Sequence, residues 1–335
     1  MMPHHVPMAR YEGLHLGDVQ IDRLRDGYPD ELVVVFQDAM RRTFDVSGHE
    51  YDPSIESDET ITIAEYAAPG QAIIDRLDIL GFTESAALDS LTNAIAEARA
   101  SKTGFFEALS GEDQPTDEIV AHFEAEAAFL DGYTSEQWIA DVRAATTRED
   151  RDDPFAVGSL RWLLDIAGHD PRLVLRAALL IWPDGEVRLD ITDSEESQRF
   201  ESPETASSEA LDLLRSLGAE HAPVVVLTEG KTDVRVLEPA LRLLYPHLTD
   251  LVRFMDYDQR PMGGASALVG MVRAFASAGI ANRVVALFDN DTAASDALRN
   301  LNRKDLPETI RVYHYPDLEP TPFSLAFWAG VKGRA

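Results

Sequence analysis

Apolar residues recur at helical spacing through much of the front of the chain. A stripe of this kind ends at Gly81, a typical helix C-terminus, and comprises Ile73, Ile74, Leu77 and Leu80. Thr83 is placed to cap a second helix, and further helical patterns cover 116–130, 134–145, 155–168 and 172–181. Short apolar or alternating runs at 11–19, 32–36 and 187–191 predict strands. The front of the chain is therefore predicted to be a mainly helical α+β domain.

The pattern changes after Pro223. Four short apolar runs, at 224–227, 251–255, 284–288 and 310–313, alternate with helical stretches. Continuous runs of this kind are typical of parallel strands buried on both faces. We therefore expect an α/β domain with a four-stranded parallel sheet flanked by helices, in which ligands lie beyond the carboxyl ends of the strands.

A polar, charged stretch at 193–208, interrupted by Pro203, separates the two patterns. We predict an acidic N-terminal domain over 1–205 and a helix or linker over 206–221. A four-stranded domain follows over 222–322, and the remaining 323–335 form a tail.

The net charge of −29 belongs entirely to the front of the chain. From Ala222 onwards there are 13 Lys and Arg against 13 Asp and Glu, whereas the preceding residues carry 17 against 46. Because nucleic acids are bound largely by neutralising phosphates, the N-terminal domain is a poor candidate for contacting DNA or RNA. It is better suited to a basic protein partner.

Other features bear on the cellular setting. The chain has no cysteine, which excludes disulfides and thiolate metal sites and favours the cytoplasm. The first residues lack the apolar stretch of a secretory signal, and no apolar run is long enough to span a membrane. We expect a cytoplasmic protein without membrane contact, and a homodimer is one assembly that fits.

Acidic residues follow the ends of two predicted strands. Glu229 follows the first strand, and Asp289 and Asp291 follow the third. Carboxylates gathered at one edge of a sheet repel one another unless one is protonated or a cation is shared. Such oxygen ligands suit Mg²⁺ or Mn²⁺, which could polarise a phosphoryl oxygen. Asp233 could add a ligand, although acids at strand ends also serve simply as helix caps.

Two neighbours of Glu229 are candidates for substrate binding. Gly230 allows a sharp turn where a side chain would obstruct a phosphate, and Lys231 could hold one or could remain an ordinary surface lysine. A phosphatase-like hydrolase with Asp289 as nucleophile fits less well, because such enzymes usually carry Asp-x-Asp on the first strand.

The pattern strand–Glu229-Gly230-x-x-Asp233–helix, with a later strand–Asp289-x-Asp291, resembles the TOPRIM domain of primases, topoisomerases and OLD-family nucleases. The form Glu-Gly-x-x-Asp is closest to the nuclease branch. The resemblance implies that Glu229 is a general acid/base or metal ligand. It also implies that Asp289, Asp291 and Asp233 bind metal.

The whole chain further resembles bacterial HEPN/Toprim-associated proteins. The resemblance is carried by Gly13, Gly17 and 30–32 in the front, and by 227–233 and 241–246 behind. It implies a Mg²⁺- or Mn²⁺-dependent endonuclease that contacts DNA or RNA through its C-terminal domain, in a class associated with phage defence. The alternative is a non-catalytic regulatory or partner-binding protein with a degenerate or truncated TOPRIM domain.

Overall fold

The chain divides into two compact units, residues 1–221 and 222–335, which we call the N-terminal and C-terminal units. The computed structural model describes residues 13–23, 29–51, 60–108, 116–196, 200, 202–218, 221–257, 263–299 and 301–316. The predicted tail at 323–335 lies outside these residues. In the described ranges, no helix is long and apolar enough to cross a lipid bilayer.

The N-terminal unit contains an antiparallel five-stranded sheet. Its strands are β1 (Gly13–Leu16), β2 (Val19–Arg23), β3 (Arg41–Ser47), β4 (Thr60–Pro69) and β5 (Glu186–Asp190). They lie in the order β2-β1-β5-β4-β3, so that β5 returns across the unit to pair between β1 and β4.

Ten α-helices accompany this sheet in the described part of the N-terminal unit. They are α1 (Pro29–Val33), α2 (Gly48–Tyr51), α3 (Gly70–Leu80), α4 (Glu84–Ala108), α5 (Asp117–Leu130), α6 (Ser135–Ala145), α7 (Leu160–Asp165), α8 (Pro171–Ala178), α9 (Thr192–Glu196) and α10 (Ala206–Leu217). Gly81 ends α3 in the left-handed conformation, with φ of 99°. Thr134 and Gln137 form a capping box at the start of α6. The mixed α+β class predicted for this unit is confirmed.

Two of the predicted strands in the N-terminal unit differ from the structure. The run at 11–19 is a hairpin over its described residues, because Gly17, with φ of 59°, turns β1 into β2. The run at 32–36 is the end of α1 and the turn after it, not a strand. A fully buried apolar run has no periodicity that distinguishes helix from strand, and here Pro29 starts a helix.

The turn at 34–36 is held by the buried guanidinium of Arg76. Its Nε donates to the Val35 carbonyl (2.9 Å), and its Nη2 donates to the carbonyls of Phe36 (2.6 Å) and Val34 (3.4 Å). Arg76 is 0% exposed, so its charge is stabilised by carbonyl oxygens rather than by water. This contact joins α3 to a turn some forty residues earlier.

The C-terminal unit contains a parallel sheet of β6 (Val224–Leu227), β7 (Val252–Phe254), β8 (Val284–Phe288) and β9 (Ile310–His314). Its order is β7-β6-β8-β9. The connecting helices are α11 (Lys231–Leu244), α12 (Ala265–Ala278) and α13 (Thr292–Leu298). The four-stranded parallel sheet flanked by helices, predicted from the sequence, is confirmed.

The two faces of this sheet are not equally covered. Residues of β6, β8 and β9 pack with α12 and α13 into one apolar core that includes Leu227, Ala286 and Phe288. Along β8 buried residues alternate with half-buried ones, so Val285 and Leu287 on the other face are less covered. Helix α11 has no buried residue. The sequence predicted strands buried on both faces of the sheet. In the structure, only the face that packs against α12 and α13 is fully buried.

Candidate functional site

The carboxyl ends of β6, β8 and β9 lie along one edge of the parallel sheet. Glu229 follows β6, and Asp289 follows β8 directly. Asp291 is the N-cap of α13, and Asp233 lies in the first turn of α11. We call these four residues the acid site.

Glu229 is fixed by contacts from two other segments. Its Oε1 accepts a hydrogen bond from the backbone N–H of Asp289 (2.9 Å), which links the end of β6 to the end of β8. Its carbonyl accepts from the N–H of Gly264 (2.6 Å). A Cβ at Gly263 would lie 3.1 Å from that carbonyl, so a side chain there would crowd the contact.

Asp233 and Asp291 each bind a backbone amide close by in the chain. The Asp233 Oδ2 accepts from Gly230 N (3.1 Å), across the first turn of α11. The Asp291 Oδ1 accepts from Ala294 N (2.8 Å) and caps α13. Each carboxylate therefore uses one oxygen for helix capping and has a second that is not used in this way.

Asp289 differs from the other three. No described residue donates a hydrogen bond to its carboxylate, although its own N–H and carbonyl are engaged. Its carbonyl accepts from His314 Nδ1 (3.3 Å), and His314 Nε2 lies 3.3 Å from Arg303 Nη2. The backbone around Asp289 is thus held from both neighbouring strands.

Electrostatic repulsion links the carboxylates of the acid site. Burial raises the pKa of Glu229 above its ordinary value of 4.5; the Asp289 N–H opposes this, and repulsion from the other three carboxylates adds to it. Burial, followed by repulsion from Asp233 and Asp291, raises the pKa of Asp289 above 3.8. No Lys or Arg among the described residues offsets either shift.

The sequence reasoning missed a tyrosine at this edge. Tyr315 follows β9, and its N–H donates to the Phe288 carbonyl (3.0 Å), which places it beside Asp289. Burial, followed by repulsion from Asp233, Asp289 and Glu229, raises the pKa of Tyr315 to about 12. The position of Tyr315 after the fourth strand of a parallel sheet was a signal that could have identified it.

The two predicted substrate residues also lie at this edge. Gly230 precedes α11, and Lys231 is its exposed first residue. Thr228 Oγ1 donates to the Gly230 carbonyl (2.9 Å) and fixes the turn between Glu229 and the helix.

The chemistry of the acid site suits a hard cation, but it is not a closed metal cage. Across the described parts of the chain, no three His, Asp or Glu side chains form a group that could hold a metal ion. Mg²⁺ usually binds through one or two carboxylates, several waters and a substrate phosphate. Glu229 and Asp289, whose pKa values are raised by burial and by repulsion from carboxylates of the acid site, fit that mode of binding.

Comparison with known proteins identifies the front of the chain. Residues 8–219 match the family model of HEPN/Toprim N-terminal domain 1. No curated protein and no solved structure matches the chain. The match covers more than half of the sequence and ends before the acid site. The chain therefore belongs to the HEPN/Toprim-associated family, to which its sequence shows a resemblance.

Proposed function

We propose that the C-terminal unit is a TOPRIM domain of the OLD-nuclease type that cleaves nucleic acid with Mg²⁺ or Mn²⁺. The observation that carries this proposal is the acid site: four carboxylates at the carboxyl edge of a parallel sheet, two of which have a raised pKa that no described lysine or arginine offsets. Membership of a HEPN/Toprim-associated family supports it.

Each member of the acid site has a proposed role. Asp289 would be the principal metal ligand, because its carboxylate receives no hydrogen bond from a described residue. Asp291 and Asp233 would contribute the oxygens that they do not use in capping. When bound, the metal would supply polarisation of a phosphoryl oxygen and stabilisation of charge in the transition state.

Glu229 would act as the general acid/base. The N–H of Asp289 holds its Oε1, which orients the carboxyl group and leaves Oε2 to carry a proton. Burial moves the pKa of Glu229 upwards, in the direction of neutral pH, where a carboxyl group can both accept and donate a proton. A Cβ at Gly230 would meet no described atom within 4 Å, so the space beside this glycine is open to a phosphate, which Lys231 would attract.

Tyr315 would complete the site as a neutral donor. A phenol among carboxylates stays protonated, so its O–H can donate to a phosphate oxygen without adding charge. Donors aimed at developing charge commonly contribute about 10²- to 10³-fold to the rate.

The proposal is tested on the full chain with circular single-stranded DNA, circular duplex DNA and RNA, each with Mg²⁺, Mn²⁺ or EDTA. We expect cleavage of a circular substrate, which requires an endonuclease, and its loss in EDTA. Asp289→Asn and Glu229→Gln should each lower the rate by at least about 10²-fold. Asp296→Asn on α13, which removes an exposed carboxylate paired with Arg299, is the matched control.

Cleavage that survives Asp289→Asn at the rate of the control would refute the mechanism. A role in phage defence remains an expectation from the resemblance, whereas a cytoplasmic location remains an expectation from the composition and a homodimer one assembly that fits.

A second candidate is a regulatory protein with a non-catalytic TOPRIM-like domain. The observation that favours it is the charge distribution, since the chain carries −29 overall and none of this net charge comes from the C-terminal unit. The acidic N-terminal unit, which carries this charge, suits a basic protein partner. Titration calorimetry separates the two candidates, because a regulator of this kind would show no Mn²⁺ binding at millimolar concentration.

A further inference from the structure

A groove of about 700 Å³ lies between α11 and the edge strand β7. It is lined on the helix side by Val234, Arg235 and Leu241, and on the strand side by Arg253 and Phe254. Among the described strands, β7 is the last of its sheet on this side, so no further described strand covers the groove.

The groove presents two arginines that the protein does not neutralise. Arg235 and Arg253 are exposed, and no described carboxylate pairs with either. Arg242 also lines the groove, but it binds Glu238 Oε1 (2.6 Å). Arginines on both α11 and β7 can bind the phosphates of a nucleic-acid strand that lies between the helix and the β-strand.

The groove also contains acids, and these are already engaged. Glu238 is held by Arg242, and Asp250 and Asp256 each interact with another group of the protein. The lining carries four Lys and Arg side chains against three Asp and Glu, and Arg235 and Arg253 have no acidic partner among the described residues, which favours an anionic ligand over a cationic one.

One end of the groove lies beside the acid site. Lys231 and Tyr257 line it, and Lys231 is only two positions from Glu229. The Tyr257 hydroxyl donates to the carbonyl of Thr228, immediately before Glu229. A chain lying in the groove would therefore reach the acid site at its Lys231 end.

We propose that this groove binds a single strand of nucleic acid and leads it to the acid site, with Arg235 and Arg253 holding its phosphates. The inference rests on the proposed function and adds the path of the substrate. Phe254 and Tyr257 offer aromatic surface to the bases, a combination with cations that is typical of single-strand binding.

The test measures binding separately from cleavage. Fluorescence anisotropy of the full chain in EDTA, with a short labelled oligonucleotide of mixed sequence as DNA and as RNA, gives the affinity over a series of salt concentrations. The variant is the double substitution Arg235→Gln/Arg253→Gln. The control, Arg273→Gln/Arg299→Gln, removes the same number of charges from α12 and from the C-cap of α13.

We expect the groove variant alone to lose affinity. Each phosphate contact on a single strand contributes about 0.7 to the slope of log K against log salt, so the slope should fall by about 1.4. If the affinity extrapolated to 1 M salt is unchanged, this corresponds to about 25-fold weaker binding near 0.1 M salt. Comparison of the DNA and RNA oligonucleotides shows which of the two nucleic acids the groove binds more tightly.

Equal losses in the groove and control variants would show that only diffuse charge is involved and would overturn the proposal. Absence of oligonucleotide binding by the unsubstituted chain would also overturn it. The two proposals fail separately. If binding depends on Arg235 and Arg253 but no cleavage occurs, the groove proposal is supported and the nuclease proposal is contradicted. If the protein cleaves but the groove variant binds as tightly as the unsubstituted chain, the nuclease proposal is supported and the groove proposal is contradicted.

Discussion

Replacing Asp289 by Asn should have opposite effects on stability with and without metal. The substitution keeps the shape of the side chain and removes one negative charge from the acid site. Because no described residue donates to this carboxylate, no capping bond is lost. What changes is the repulsion among the acids, to which Asp289 contributes by raising the pKa of Glu229.

Without metal, Asp289→Asn should stabilise the protein. An acid whose pKa is raised on folding contributes stability below its ordinary pKa of 3.8, and that stability is lost as pH rises through the raised pKa. The variant has no such loss. Its advantage over the unsubstituted chain should therefore be absent in acid and should grow through that window to a plateau above it.

With metal, the order should reverse. A cation present at 100 times its dissociation constant stabilises the folded state by about 2.7 kcal/mol. If the substitution weakens binding by about 100-fold, the same concentration contributes only about 0.4 kcal/mol. Thermal unfolding of both proteins in EDTA and in MnCl₂, with Asp296→Asn as control, measures both effects. An equal response of both proteins to Mn²⁺, or a lower metal-free melting temperature for the variant at neutral pH, would refute the reasoning.

Two further substitutions test other parts of the molecule. Arg76→Met should destabilise the N-terminal unit by about 3–5 kcal/mol, because it leaves buried carbonyls without a donor; urea unfolding measures this, and a loss below about 1 kcal/mol would contradict the assigned role. Tyr315→Phe should lower kcat by about 10²-fold with little change in KM, whereas Tyr313→Phe on β9 should leave both unchanged. Equal rates for the two tyrosine variants would remove Tyr315 from the proposed site.

The C-terminal sheet was predictable from the sequence because its strands are local and strongly patterned. The runs at 284–288 and 310–313 match β8 and β9 to within one residue. The same logic placed Glu229 and Asp289 at one edge, since neighbouring parallel strands end together.

What the sequence could not provide depends on contacts between distant segments. The turn at 34–36 is held by Arg76, and no local pattern distinguishes it from a strand. Tyr315 joins the acid site only because β9 pairs with β8. The sequence allowed helix capping by Asp233 and Asp291 as an alternative to metal binding. It did not show that both residues can cap a helix and still belong to the acid site.

The uneven covering of the parallel sheet has a consequence for its dynamics. Helix α12 buries four residues, including Leu268 and Val272, whereas α11 buries none. Segments with little buried apolar surface open locally at low free energy, and their amide hydrogens exchange with solvent early. Of the three α-helices described in this unit, α11 is therefore the one most able to loosen without global unfolding. The helix side of the groove could therefore change its position when a ligand binds against it.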